Sequence, residues 1–375
     1  MKKKILFLIE TLGGGGAERV LVNLVNAMDK SQFDITVMTV FDGGVNAKNL
    51  SEDIKYIELN SKKFSGIKTV FKFLPKKSLY RKYLKGYVNR EKYDLIVAYM
   101  TGVPTFIAAG ASAPKIAWLH GEFFKPHDFK SWLNIFGLKH IYNKFNYVAG
   151  VSEYTCERFK EVIKADVPSK VIYNTNDVKR IVSLSEEACR KNEKMTFVTV
   201  GCLEQTKGFD RLINVCRKLI DDGFVFQLNI LGEGIERTSL ENQITRLDLQ
   251  SYVKLSGFQQ NPYKYVKNSD LFICSSRTEG LSTAVSEAVI LGTPVVSTDV
   301  SGAKEILGDN NEFGIVTEND EDSLYNGIKT VISDKELLSY YKDKAKERAV
   351  FFDEKNTVNQ AESLFNDIIN GMECK

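Results

Sequence analysis

Asp270-Leu-Phe-Ile-Cys-Ser-Ser276, followed at once by Glu279-Gly-Leu-Ser-Thr-Ala-Val-Ser-Glu287, decides how this chain is read. The first stretch is an apolar run of the length and composition of a buried strand. The second delivers an acidic residue and a glycine, then opens a helix over 282–291 that Gly292 closes, with Pro294 just beyond. Strand, short acidic loop and helix N-terminus in succession aim backbone N–H groups and the positive dipole end at the space beyond the strand. That arrangement suits a phosphate. Glu287 lies on the second turn, where its carboxylate can accept hydrogen bonds from sugar hydroxyls over the same sheet end. A diphosphate with a pentose attached fits this equipment.

Working outward, short apolar runs alternate with helical patterns. Strands are expected at 5–9, 35–40, 95–99, 116–119, 147–151 and 170–173, then at 196–201, 227–231, 253–256, 271–275, 294–297 and 314–316. Helical periodicity fills 17–27, 154–163, 209–221 and 235–247, and three further helices are expected at 323–332, 335–350 and 355–369. The alternation occurs twice, so the expected class is α/β with two facing Rossmann-like doubly wound parallel-sheet domains. The polar, weakly patterned stretch 177–194 reads as the linker between them. The domains are expected at 1–178 and 179–352, with a terminal helical segment at 353–375.

With 375 residues the chain exceeds one compact core, and 43% apolar with 26% charged residues is ordinary for a globular protein. Six cysteines without a CxxC pair read as reduced thiols in a cytoplasmic protein, and three histidines do not build a metal cluster. The apolar run after Lys2-Lys-Lys4 ends at Glu10, too short for a signal peptide, and no run reaches the ~18–20 apolar residues of a membrane span. The net charge of +3 conceals ten Lys or Arg and no acid within 61–90, leaving 3 − 10 = −7 elsewhere. Apolar spacings such as Ile67, Val70, Phe71, Leu74 and Tyr80, Tyr83, Leu84, Tyr87 make that stretch amphipathic, with Pro75 between its halves. It reads as an in-plane helix on the cytoplasmic membrane surface; the alternative is an apolar stripe packed on the sheet. No recognition motif favours nucleic acid.

Ligands of doubly wound sheets sit beyond the carboxyl ends of the strands, and four such places stand out. Gly13-Gly-Gly-Gly-Ala-Glu-Arg19 follows the first strand and permits close backbone approach to a phosphate or sugar. It is not a dinucleotide fingerprint, because Glu18 occupies the place of the third glycine. Trp118-Leu-His120-Gly121 ends another strand, where the imidazole can bond a sugar hydroxyl or donate to a phosphate near neutral pH. In the loop Gly201-Cys-Leu-Glu-Gln-Thr-Lys207-Gly208, Lys207 precedes a helix start and can neutralise a diphosphate. Leu231-Gly232-Glu-Gly234 and Ser256-Gly257-Phe258 offer small residues for the wall around a nucleobase, or are plain βα turns.

These segments together resemble the family 4 (group 1) retaining glycosyltransferases of GT-B fold: GGGGAERVLVNL (13–24), WLHG (118–121), VGCLEQTKGFDRLI (200–213), LGEGIERTSLE (231–241), SGF (256–258), EGLSTAVSEAVILGTPVVSTD (279–299) and GAKEIL (302–307). The resemblance implies an acceptor-binding N-terminal domain, a nucleotide-sugar-binding C-terminal domain, and a last helix crossing back to the first. By the same resemblance Lys207 contacts the donor diphosphate and Glu287 the ribose. Glu279 with the backbone of Gly280, Leu281, Ser282 and Thr283 takes the transferred sugar and phosphate. His120 lies beside the sugar, Gly14, Gly15 and Gly16 line the cleft, and Glu18 and Arg19 serve the acceptor or order the loop. His120, Lys207 and Glu279 are thus the expected catalytic groups, with Gly201, Cys202, Gly232, Gly257 and Phe258 completing the donor site.

One departure matters. The family usually has Arg where this chain has Cys202, and a lost charge-assisted partner typically costs ~1.5–3 kcal/mol. Arg277 and Lys304 are the candidates to replace it. Leaving-group charge is expected to be met by Lys207 and the helix N-terminus at 282–283, with no metal or other cofactor. The lone DxD, Asp320-Glu-Asp322, reads as a helix-start acid. The expected activity is retaining transfer of a hexose or N-acetylhexosamine from a nucleotide sugar, UDP-linked, to a glycan or polyprenyl-diphosphate-linked acceptor of cell-surface polysaccharide synthesis, on the inner face of the membrane. The alternatives are a UDP-sugar epimerase of the same fold and a catalytically weak nucleotide-sugar-binding protein.

Overall fold

The computed structural model describes residues 1–41, 43–59, 88, 90–121, 129–189 and 193–371. The basic stretch 61–90, apart from Val88 and Arg90, lies outside the described residues, and the membrane-surface expectation lies there with it. The chain divides into two compact units, 1–175 with 354–375, and 176–353.

The first unit is built on a parallel sheet of β1 (Lys3–Ile9), β2 (Phe33–Thr39), β3 (Lys55–Glu58), β4 (Leu95–Ala98), β5 (Lys115–Leu119), β6 (Tyr147–Gly150) and β7 (Ser169–Val171). Their order is β3-β2-β1-β4-β5-β6-β7. Among the described residues four α-helices connect them: α1 (Gly16–Ala27), α2 (Val103–Ala108), α3 (Phe129–Tyr142) and α4 (Glu153–Ile163). The central strands are apolar on both faces because helices cover both, so Ile5 through Ile9 are all fully buried. β3 escapes the sequence reading because Lys-Tyr-Ile-Glu is short, charged at both ends and has no fully buried residue, as befits an edge strand.

The second unit contains α5 (Val178–Ser185), β8 (Met195–Val200), α6 (Phe209–Asp221), β9 (Phe226–Leu231), α7 (Arg237–Arg246), β10 (Val253–Gly257), α8 (Tyr263–Lys267) and β11 (Leu271–Cys274). Then follow α9 (Thr283–Ile290), β12 (Val295–Thr298), α10 (Ala303–Leu307), β13 (Ile315–Thr317), α11 (Glu321–Ser333) and α12 (Lys335–Arg348). The parallel sheet runs β10-β9-β8-β11-β12-β13. Part of the expected linker is helical. Asp177 caps α5, accepting a hydrogen bond from Arg180 N at 2.9 Å, and the helix buries Ile181 and Ser185 while packing on α8 and α9. At eight residues, with only Ile181 and Ser185 buried, the helix is too short for its periodicity to stand out in sequence.

The last helix, α13 (Glu354–Ile369), belongs to the first unit. Its Phe365 is fully buried, 5.9 Å from the ring of Phe7 and 6.4 Å from that of Trp118. Glu362 accepts a hydrogen bond from Asp29 N at 2.6 Å, and Lys3 Nζ reaches Asn366 Oδ1 at 2.5 Å. Among the described residues no helix is long and apolar enough to cross a membrane.

Candidate active site

In the second unit strand order reverses between β8 and β11, since consecutive connections lead outward from this pair in opposite directions. Loops leaving adjacent strands there diverge and open a crevice at their carboxyl ends. Those two loops carry Lys207 and Glu279. Lys207 Nζ stands 2.7 Å from Glu279 Oε1, with side chains 27% and 12% exposed. Burial acts against the ammonium, but the charge and hydrogen bond of Glu279 outweigh it and hold the Lys207 pKa above its ordinary value. Ser276 Oγ donates to the same carboxylate oxygen at 2.6 Å.

Backbone geometry sets this arrangement. After a short 3-10 turn over 205–207, Gly208 adopts φ +64° and caps α6. A Cβ at Gly208 would stand 2.1 Å from the Ser275 carbonyl oxygen, so only glycine lets the two loops touch. The stem of Lys207 runs 3.5 Å from where a Gly201 Cβ would lie. Gly232, at φ +151°, has the Gly201 carbonyl 1.9 Å from a would-be Cβ, and Gly257 sits at φ +73° against Glu233. Phe258 is 60% exposed just beyond.

α9 begins where expected. Ser282 is its N-cap, its hydroxyl accepting from Val285 N at 3.4 Å, and Thr283 is the first helical residue. The Gly280 carbonyl accepts from Ser301 Oγ at 2.7 Å, and Leu281 is buried against Gly302. Glu287 faces inward on the second turn, 4% exposed, accepting a hydrogen bond from Tyr263 Oη at 3.3 Å. Lys207, Glu279 and the start of α9 therefore frame one strand-end site with a cation and oriented peptide dipoles.

Three residues here escape the sequence reading. Ser276 and Tyr263 are ordinary in sequence, and Arg211 sits at a helical position where Arg usually reaches solvent. In the structure Arg211 is only 7% exposed, and its guanidinium bonds the Ser275 carbonyl at 2.7 Å.

Cys202 is exposed, and both candidates for the missing arginine already pair with nearby groups in the free protein. Arg277 forks onto both Asp210 carboxylate oxygens at 2.7 Å and onto the Gln205 carbonyl. Lys304 Nζ pairs with Asp299 at 2.6 Å. In the free protein both therefore have carboxylate partners, as Lys207 does. Asp320 is a helix cap, accepting from Ser323 N at 2.8 Å, while Asp322 pairs with Lys218. Among the described residues no group of three or more His, Cys, Asp or Glu could hold a metal.

In the first unit the reversal falls between β1 and β4. Gly14 and Gly15 end the loop from β1 to α1, and Gly16 is the first residue of α1. A Cβ on Gly15 would stand 2.3 Å from a Glu18 carboxylate oxygen, so this carboxylate folds back over the glycine loop. Burial, with a smaller contribution from Glu10, raises the Glu18 pKa. Arg19 follows on the first turn of α1. His120, just after β5, lies with its ring 4.6 Å from the Tyr99 ring and tilted 49° to it. The residue keeps some exposed surface, yet its Nε2 is buried without a partner among the described residues. Burial lowers its pKa to about 3. The imidazole is held neutral in the free protein, a form that can still donate one N–H and accept at the other nitrogen.

Residues 158–348 match the family described as Glycosyl transferases group 1, and residues 14–180 match Glycosyltransferase Family 4. The chain is 30% identical over 369 residues to N-acetylgalactosamine-N,N'-diacetylbacillosaminyl-diphospho-undecaprenol 4-alpha-N-acetylgalactosaminyltransferase of Campylobacter jejuni, covering 94% of this chain and 96% of that protein. In structure it is similar to HepE of Anabaena, solved with UDP and glucose, at TM-score 0.77 and 24% identity over 96% and 99% of the two chains. It is also similar to the sucrose-phosphate synthase of Thermosynechococcus elongatus, at TM-score 0.79 and 15% identity over 99% and 100%. Its two parallel-sheet α/β units have the GT-B fold, and the chain belongs to the group 1 glycosyl transferases.

Proposed function

We propose that the protein is a retaining, metal-independent transferase that moves a hexose or N-acetylhexosamine from a UDP-linked donor to a polyprenyl-diphosphate-linked glycan at the inner membrane face. The observation that carries this reading is the Lys207–Glu279 pair, 2.7 Å apart, where strand order reverses beside the start of α9. The activity for which the Campylobacter jejuni relative is named, transfer of N-acetylgalactosamine onto a diphospho-undecaprenol-linked sugar, supports the acceptor class. The UDP bound in HepE supports the nucleotide.

Breaking a glycosyl–phosphate bond leaves negative charge on the diphosphate and cation-like character on the sugar. The Lys207 ammonium, exchanging Glu279 for the phosphate, meets that charge together with the backbone N–H groups opening α9. Glu279 is then available to the hydroxyls of the transferred sugar, and Glu287, steadied by Tyr263, to the ribose. Neutral His120 contributes a hydrogen bond rather than a charge. In the retaining step the acceptor hydroxyl attacks the anomeric carbon from the face the diphosphate leaves. Its proton passes to the departing phosphate oxygen, so no separate base is required.

The test is UDP release from UDP-N-acetylgalactosamine, UDP-N-acetylglucosamine and UDP-glucose with a polyprenyl-diphosphate-linked acceptor, with and without chelator. Product configuration is read by NMR. Release stimulated by acceptor, with the donor configuration kept, is expected. An inverted product removes the retaining mechanism, and chelator-sensitive turnover removes metal independence. Flotation with anionic vesicles tests the membrane role of the 61–90 stretch: binding unchanged after its lysines are replaced removes that role.

A further inference from the structure

A guanidinium that is 7% exposed and touches no carboxylate is costly unless every donor is used. Arg211 spends its donors on backbone. Nε donates to the Ser275 carbonyl at 2.7 Å, Nη2 to the Ser276 carbonyl and to Asn319 Oδ1 at 2.7 Å, and Nη1 to the Asn319 carbonyl at 3.2 Å. Asn319 continues the brace, its Nδ2 donating to the Arg277 carbonyl at 3.0 Å and the Asp299 carbonyl at 3.3 Å. Thr298 Oγ1 adds a bond to the Ser276 carbonyl at 2.7 Å. Three successive carbonyls of the loop leaving β11 are therefore held by these side chains. The same loop carries Ser276 Oγ, which bonds the Glu279 carboxylate.

We infer that Arg211, with Asn319, is a positioning residue for Glu279. The inference rests on the donor-site reading of Lys207 and Glu279. The connection is continuous: Arg211 Nη2 to Ser276 O, Ser276 Oγ to Glu279 Oε1 at 2.6 Å, and Glu279 Oε1 to Lys207 Nζ at 2.7 Å. Arg211 also sits on α6, which starts directly after Lys207 and Gly208, so one side chain ties the loop after β8 to the loop after β11. Lys207 can leave Glu279 for a phosphate while Glu279 stays in place, because its support comes from the Arg211 side. A lysine at 211 keeps the charge but cannot make a planar fork over several carbonyls.

The test compares Arg211→Lys, Asn319→Ala, Glu279→Gln and the double variant Arg211→Lys/Glu279→Gln. Read-outs are UDP affinity by calorimetry, turnover of UDP-N-acetylgalactosamine with acceptor, and melting temperature. Misplacing a group by an ångström costs roughly 10²-fold, so Arg211→Lys is expected to lose on the order of 10- to 100-fold in kcat. UDP lacks the transferred sugar that Glu279 would hold, so its Kd is expected to stay within about threefold. The double variant is expected to turn over no slower than Glu279→Gln alone, because both changes act on one group. Asn319→Ala, a milder change at the chain's surface, is expected to lower kcat in the same direction. Additive losses in the double variant, or UDP affinity falling in step with kcat and melting temperature, overturn the inference and leave Arg211 a fold-supporting residue. Glu279→Gln with wild-type turnover instead overturns the donor-site reading itself.

Discussion

Replacing Lys207 with Met isolates the ammonium, because the methionine keeps the stem that lies beside Gly201. Its effect on stability is small. The pair is partly exposed, 27% and 12%, so screening holds its contribution to about 1 kcal/mol, and Ser276 still serves Glu279 after the change. The effect on nucleotide binding is also limited. In the free protein the ammonium already has a carboxylate partner, so diphosphate binding exchanges one charge-assisted bond for another. The net loss is about 1–2 kcal/mol, a five- to thirtyfold rise in UDP Kd. The chemical step is different, because charge grows on the leaving phosphate only in the transition state. Removing a donor aimed at developing charge costs about 2.7–4 kcal/mol, or roughly 10²–10³ in kcat. Calorimetry with UDP, initial rates with UDP-N-acetylgalactosamine and acceptor, and a melting curve measure the three quantities on one preparation. A kcat within about threefold of wild type, with UDP binding equally intact, refutes the leaving-group role of Lys207.

Gly208→Ala is expected to destabilise by about 2 kcal/mol or more, since φ +64° suits glycine and the new methyl would meet the Ser275 carbonyl at 2.1 Å; denaturant midpoints measure it. His120 is held neutral with its pKa lowered to about 3, so its contribution to stability is present above the unfolded pKa and is lost as pH falls from there toward the folded value. Relative to His120→Phe, the wild type is expected to lose up to about 2 kcal/mol between pH ~7.5 and ~5, and a pH-independent difference refutes the burial argument. Phe365→Ala removes a fully buried ring between Phe7 and Trp118 and is expected to cost about 3–5 kcal/mol, seen as early release of α13 in hydrogen exchange.

Periodicity and composition made the α/β alternation legible because buried parallel strands are continuous apolar runs and their helices carry a strong apolar face. Runs such as Ile5 to Ile9 and Leu271 to Cys274 leave little choice. Edge strand β3 and helix α5 were hidden for the converse reason, each burying too few residues to pattern the sequence. The site was legible where glycine, acid and helix start follow a strand, as at Glu279 to Thr283, since local chain order alone places those groups together. By itself, then, the sequence determined the two-sheet architecture, the strand-end loops and the residue types they carry. Only tertiary structure decided the partners: that Lys207 meets Glu279, that Arg277 and Lys304 are taken by Asp210 and Asp299, that His120 is too buried to charge, and that Arg211 turns inward to hold a loop. The physical reason is range. Secondary structure follows from neighbours a few residues apart, whereas an ion pair between residues 207 and 279, or the desolvation of a ring, depends on which strands lie side by side.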